Sequence, residues 1–482
     1  MSSIASTGNG IKIGQLKGNL GPISIALMVI ATAAPLTVMV GVSPLIIGLG
    51  NGAAAPTDAL IVTLIMLLFS IGFVTMSKYV ENAGAFYSYI QKGLGGVLGL
   101  GAASLAVLSY SVIIIALEAY LGFVLNDAIS GATGISFPWW IYALAVVAVV
   151  GFLGYRNIEV STKILGVALC LEISVILFLD LAIFNTAGIA HVGSAPFEPA
   201  TFFSGSPGLG ILFAIFGFIG FESTVVYRDE ATDPERSIPL ATYIAVLFIG
   251  LLYFVSFWCV VAGIGLTDLL HIAKDNAGTM YLDLAEKFLG RPLRDVAQVL
   301  LITSLFAVVL SIHNVVARYK YVLGQCGVLP SRLGRAHADH ASPHIGSALQ
   351  TFVSAATLIA AVVLQMDPVT QVYTWGAAAG TLGYMVIVAL ACIAVVAFFA
   401  KRPEGTDVWR TKIAPALAFF GLVGCIYIAF NNLAALTGSE GLNAVNVSII
   451  ALLIISFLFG SLGAFVMKTR APDKYAGILS RI

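Results

Sequence analysis

Charge is scarce in this sequence. Asp, Glu, Lys and Arg make up 10% of its 482 residues, and 59% are hydrophobic; a soluble domain carries roughly 25% charged residues. A soluble chain of this size would present more apolar surface than water keeps dispersed, so a lipid bilayer is the consistent solvent. The 24 basic and 24 acidic residues cancel, so the total charge argues neither for nor against nucleic acid; for a chain whose solvent is lipid no nucleic-acid partner is expected. Cysteine is sparse too. Cys170, Cys259, Cys326, Cys392 and Cys425 show no CxxC spacing, so nothing points to a disulfide framework or a zinc site; in apolar runs Cys acts as a small hydrophobe. The histidines (His191, His271, His313, His337, His340, His344) are spaced too loosely to support a metal site. No GxxxxGK is present, and no Ser/His/Asp arrangement or soluble domain stands out. Neither an enzyme nor a cofactor is therefore expected. The glycines of "GLGGVLG" (93–99) and "GAAAG" (376–380) lack the strand-then-helix context of a nucleotide loop, and small residues at such spacing let membrane helices pack closely.

What is present in excess is apolar run. A membrane helix needs about 20 mainly apolar residues, and twelve windows qualify: 22–50, 58–78, 97–125, 138–155, 160–184, 208–229, 239–264, 294–317, 345–365, 371–399, 413–431 and 445–467. Ala31-Thr32-Ala33 resembles a signal cleavage site, but the apolar run continues beyond it to about residue 50, so an uncleaved first span is expected. With both termini cytoplasmic, all but Lys274, Lys287, Arg291 and Arg294 of the 24 Lys and Arg fall on the cytoplasmic side, as the positive-inside rule requires. The expectation is a multi-pass protein of the cytoplasmic membrane, with cytoplasmic segments at 1–21 and 469–482.

Two spans look broken. In "IALMVIATAAPLTVMVGVSPL", Pro35 removes a backbone donor in mid-span; span six carries Gly217 and Gly220 at its middle. Irregular backbone at membrane depth is tolerated only inside protein or against a water-filled cavity. The breaks fall at the first helix of each half if residues 22–184 (spans one to five) and 208–400 (spans six to ten) are repeats, and an odd span count per repeat inverts the second copy. Spans eleven and twelve (411–468) follow. Interrupted helices at matching positions of inverted repeats point to a transporter's central site. Half-helix ends there offer amides to anions and carbonyls to cations, which suits an amino acid zwitterion.

Three stretches carry a family resemblance. "GFESTVVYRDEATDPERSIPLA" (220–241) resembles the sixth-span signature of the amino acid–polyamine–organocation permeases. "NAGAFYSYIQKGLG" (82–95) resembles their segment after span two, and "HNVVARYKYVLGQCGVLPSRLGRAH" (313–337) the segment leaving span eight. The resemblance implies an all-α polytopic protein of LeuT-type fold: a 5+5 inverted repeat with discontinuous helices one and six, plus two C-terminal helices. It also implies secondary transport. On it, Ala33, Ala34, Pro35, Leu36 and Thr37 match the unwound part of span one, Phe216 and Phe218 the aromatic positions that gate and pack the substrate, and Tyr110 a site-lining face of span three. Glu222 matches a glutamate implicated there in proton sensing or transport. Two departures stand out. The first break lacks a Gly-x-Gly pattern, and Glu172 occupies the span-five position where several relatives carry Lys.

Glu118, Glu172, Asp180 and Glu222 lie inside expected spans, where insertion of an ionised residue costs about 2.5–3.5 kcal/mol. Asp180 and Glu118 have a bland reading as outer residues reaching interfacial water. Glu222 either caps the lower half of span six or carries a proton. Glu172 has no basic residue nearby on its own helix and no helix end to cap, so it is the first candidate for proton carriage; a sodium ion held with Ser304 is the alternative. The functional expectation is amino acid uptake by proton-coupled symport, with polyamine or organic-amine transport or exchange as the alternative. A sensor or channel on the same fold is the reading from a different class.

Overall fold

The computed structural model describes residues 20–80, 85–156, 162–337, 340, 342–402, 407–439, 441, 443–472 and 475–476. The expectations resting on residues 1–19, on 82–84 of the second motif, and on Lys474 and Arg481 lie outside this set. Helix is the regular structure of the described residues, beside one isolated parallel bridge between Leu20 and Ala231. The long helices are α1 (Pro22–Ala33), α2 (Ala55–Ser77), α3 (Gly96–Thr133), α4 (Trp139–Tyr155), α5 (Thr162–Thr186), α6 (Pro207–Phe216), α7 (Pro234–Ile264), α8 (Arg291–Gln325), α9 (His344–Val363), α10 (Thr374–Ala400), α11 (Ala414–Asn431) and α12 (Ala444–Arg470). Helical backbone resumes after α1 from Pro35 to Asn51, and after α6 from Phe221 to Glu230 as a tighter 3₁₀ stretch.

Proline and asparagine set several of these boundaries. Pro22, Pro35, Pro56, Pro207 and Pro234 each sit in the first turn of their helix, where the missing N–H is no loss. Asn443 accepts from the amides of Val445 and Asn446 to cap α12, the N-cap role that suits its side chain. The chain between α7 and α8, which lies outside the apolar windows, forms the short helices Leu269–Asp275 and Met280–Leu289. Residues 85–94, also outside the apolar windows, form the helix Ala85–Leu94.

Among the described residues ten segments are long and apolar enough to cross a membrane, and this is a multi-pass membrane protein. One of them, Pro22–Ser77, has 56 residues, more than twice the span requirement of about 20; its helical backbone is interrupted at Gly50 (φ −87°, ψ −126°) and Gly52 (φ 62°). Helix α4, with 17 residues, is apolar but shorter than the rest. Helix α3 is the central post, with α4, α8, α10 and α12 packed along it. Helix α1 lies against α5 and α7, and α6 against α2, α10 and α11. Gly376 and Gly380 admit this closeness: a β-carbon on either would stand 2.8 Å from Ala116 Cβ or collide with Ile113 of α3.

Candidate functional site

The first interruption is a single residue. Ala34 takes φ 48° and ψ 69°, the left-handed region that costs an L-residue about 1–2 kcal/mol. Its amide bonds back to Ala31 O at 3.2 Å, and Val38 N donates to Ala34 O at 3.2 Å, so helix resumes at once beyond it. Pro35 offers no donor, which leaves Leu36 as the first N–H of the restarted helix. The second interruption is longer. Helix α6 stops at Phe216, residues 217–220 form a turn, and Gly220 takes φ 107°, a conformation that favours glycine. Tyr253 of α7 donates to Gly217 O at 3.2 Å, pairing a carbonyl freed by the break.

The two interruptions touch. A β-carbon on Gly220 would stand 3.0 Å from Thr32 Cγ2, and one on Gly217 would stand 3.1 Å from Val38 Cγ1 and 2.8 Å from Tyr253 Cε2. The sequence-selected residues around them (Ala33, Ala34, Pro35, Leu36, Thr37, Phe216, Gly217, Phe218) are all buried, and Gly220 is half-buried. Phe218 meets Tyr253 edge-on at 6.0 Å.

Each interruption also has its own carboxyl. Glu222 accepts from Tyr110 Oη at 2.6 Å through Oε1, and from Gly220 N at 2.9 Å and Tyr384 Oη at 3.3 Å through Oε2. This is the capping arrangement, with both oxygens satisfied by α3, α10 and the turn itself. Tyr110 thus reaches the site by way of Glu222. Glu172 of α5 has the Ser304 hydroxyl and the Leu36 amide as hydrogen-bonding neighbours, and Thr37 Oγ1 donates to Ser304 Oγ at 3.3 Å. Glu172 therefore has the start of the restarted helix in its neighbourhood, a proximity across spans. Sequence cannot show this, because that helix start lies on another span. Its Oε2 has no partner, and among the described residues no ion pair reaches either glutamate.

The other two acids turn inward. Glu118 is 1% exposed and faces Ser354 of α9; Asp180 is 6% exposed and accepts from Ser256 Oγ at 2.6 Å. Neither reaches interfacial water, because α9 and α7 cover them. Sequence reasoning missed Tyr384 and Tyr253, whose tyrosines look like ordinary apolar-span residues until the fold aims them. Tyr384 is held in turn by Phe86, edge-on at 5.7 Å; Phe86 belongs to the helix Ala85–Leu94, the segment of the second motif. Asp58, 0% exposed in the first turn of α2, was missed as well. Among the described residues no group of three or more His, Cys, Asp or Glu side chains could hold a metal ion.

Comparison with known proteins agrees with this picture. Residues 20–459 match the family model described as "Amino acid permease". The chain is similar to the methylthioribose transporter of Bacillus subtilis, at 22% identity over 402 residues, covering 79% of this chain and 81% of the relative. It is 21% identical over 435 residues to the branched-chain amino acid permease BcaP of the same organism, covering 86% and 88%. The low-affinity putrescine importer PlaP of Escherichia coli is 22% identical over 336 residues, covering 68% and 72%.

Proposed function

Since the chain belongs to the amino acid permease family, a non-enzymatic family of transporters, we propose that it moves a small amine-bearing solute across the cytoplasmic membrane by proton-coupled alternating access. The substrate binds between residues 33–37 and 217–220. The observation that carries this reading is the contact between two helix interruptions, each with a buried carboxyl and, among the described residues, no counter-ion. In this reading the 56-residue segment Pro22–Ser77 makes two crossings and α4 makes one, which gives twelve spans in the LeuT arrangement. Residues 22–184 and 208–400 are the inverted repeats, 411–468 holds the last two spans, and both termini are cytoplasmic.

Within this reading Glu172 carries the proton. Its Oε2 is free of partners, whereas both oxygens of Glu222 are already engaged in capping and in tying α3 and α10 to the turn. A proton arriving on Glu172 weakens its hold on the Leu36 amide and so alters the first interruption, where the solute sits. Sodium at Glu172 and Ser304 remains the alternative coupling ion.

A donor count bears on the choice between amino acid and amine. The amides of Gly217, Phe218, Ile219, Phe221 and Ser223 donate to backbone oxygens, and Gly220 N donates to Glu222. At the first break, Ala34 N and Val38 N are engaged, Pro35 has no N–H, and Leu36 N faces Glu172. Thr37 N and Glu222 N donate to no backbone oxygen across the breaks, so each break keeps an amide that a substrate carboxylate can use, and either an amino acid or an amine fits the site. Counterflow in reconstituted vesicles tests both points. Uptake of a labelled diamine such as putrescine, competed weakly by leucine or isoleucine, supports the amine; the reverse ranking supports the amino acid. Binding without flux would instead mark a sensor, and flux without accumulation a channel.

A further inference from the structure

Asp58 and Asn51 form a buried pair outside the central site. Asn51 lies at the outer end of the broken first span in the proposed orientation, and Asp58 in the first turn of α2. They are 2% and 0% exposed. Asn51 Nδ2 donates to Asp58 Oδ1 at 3.1 Å. The second carboxyl oxygen of Asp58, Oδ2, and the amide oxygen of Asn51, Oδ1, are buried with no partner. Both converge on Gly210 of α6, standing 2.5 and 2.8 Å from the place a β-carbon would take there. Two acceptors facing one spot, with one donor between the two side chains, are one hydrogen short. Turning the amide over does not help, because it exchanges which oxygen of the carboxyl is left facing an acceptor.

One proton completes the arrangement. We propose that Asp58 is a proton-binding site: a proton on Oδ2 donates to Asn51 Oδ1 while Asn51 Nδ2 donates to Asp58 Oδ1, closing a two-bond acid–amide ring. No bond beyond the O–H forms or breaks, and the proton comes from the solvent. Buried polar atoms left unpaired lose the hydrogen bonds that water would give them, and the added proton satisfies two at once. Among the described residues no Lys, Arg or His pairs with Asp58. The faces of the first span and of α6 present Asn51 and Gly210, the loop before α6 meets α2 through Thr57 and Pro196 O, and from α11 the Cys425 thiol lies within range of the carboxyl charge.

The place gives the proton a task. A β-carbon on Gly50 would stand 2.7 Å from Gly210 Cα, and Ser206 N donates to Gly50 O at 2.8 Å, so the outer ends of both broken spans meet at this pair. The protonated ring fastens α2 to that junction, and loss of the proton leaves a bare carboxylate against α6 and loosens it. This inference stands apart from the central site and from any substrate.

Infrared spectroscopy of the purified full-length protein at neutral pH tests it. Wild type should show the C=O stretch of a protonated carboxyl that disappears in Asp58→Asn, a variant able to keep the paired ring as amide–amide. Asn51→Ala, which removes the acceptor, should move the same band to higher frequency; this arm holds even where Asp58→Asn fails to fold. Thermal stability of wild type should fall on alkalinisation, as the proton held by the folded state is lost, more steeply than that of Asp58→Asn. A protonated-carboxyl band unchanged by both substitutions overturns the proposal, and so do identical alkaline profiles.

Discussion

Substituting Gly220 puts the contact between the two interruptions under direct strain. Its φ of 107° lies where an L-residue is held at a cost of about 1–3 kcal/mol. Alanine there also brings a β-carbon to 3.0 Å from Thr32 Cγ2, so α1 and the second turn must part by a few tenths of an ångström. If the ligand requires the native turn, Gly220→Ala loses affinity by about the strain energy, roughly 5- to 150-fold at a tenfold change per 1.4 kcal/mol. Gly220→Leu, which fills the space between the breaks, should abolish binding while membrane insertion survives. The assay is equilibrium binding of radiolabelled solute to purified protein, with size-exclusion chromatography as the check on folding. Gly438→Ala is the control: its φ is 66° but nothing lies within 4 Å of a β-carbon there, so it carries comparable strain away from the site and should leave affinity unchanged. Wild-type affinity in folded Gly220→Leu would remove this contact from the binding site.

Three further substitutions follow. Phe216→Ala removes a buried ring, which should cost about 3–5 kcal/mol of stability and weaken solute binding; wild-type transport and affinity would take this ring out of the site. Tyr110→Phe deletes the 2.6 Å donor to Glu222 and should lower the thermal unfolding midpoint by the equivalent of about 1–3 kcal/mol. Tyr384→Phe, at 3.3 Å, should lower it less, and equal losses would contradict the unequal roles of the two hydroxyls.

Much of the fold was legible because hydrocarbon enforces it. A chain that must satisfy its backbone inside lipid becomes helix, and each apolar window falls on helical backbone, although α3 and α8 each run eight residues past the C-terminal edge of their windows. Pro35 and the pair Gly217 and Gly220 also marked both interruptions, since each residue type breaks helix for a local reason. What crosses between spans was not legible. The Leu36 amide near Glu172, the Tyr384 hydroxyl on Glu222 and the Asn51 amide on Asp58 arise from packing and leave no local spacing to read. Asp58 was hidden for a second reason: at the edge of an apolar window it resembles an ordinary first-turn acid, which favours a helix N-terminus. The helix Ala85–Leu94 escaped because its polar residues and flanking glycines look like loop punctuation, although its Phe86 and Tyr89 are buried.

Uptake into reconstituted vesicles by the Glu172→Gln variant under an imposed pH gradient tests the coupling most directly. Gln keeps the size of the side chain and can still accept from Leu36 N and Ser304, but it cannot load or release a proton. The account predicts that the variant binds solute and exchanges it across the membrane, yet no longer accumulates it when the pH gradient is the driving force. A sodium role predicts instead that wild-type accumulation needs sodium and that the variant loses this dependence. Accumulation by Glu172→Gln in sodium-free buffer, with the pH dependence of wild type, would contradict both and move the coupling role to Glu222.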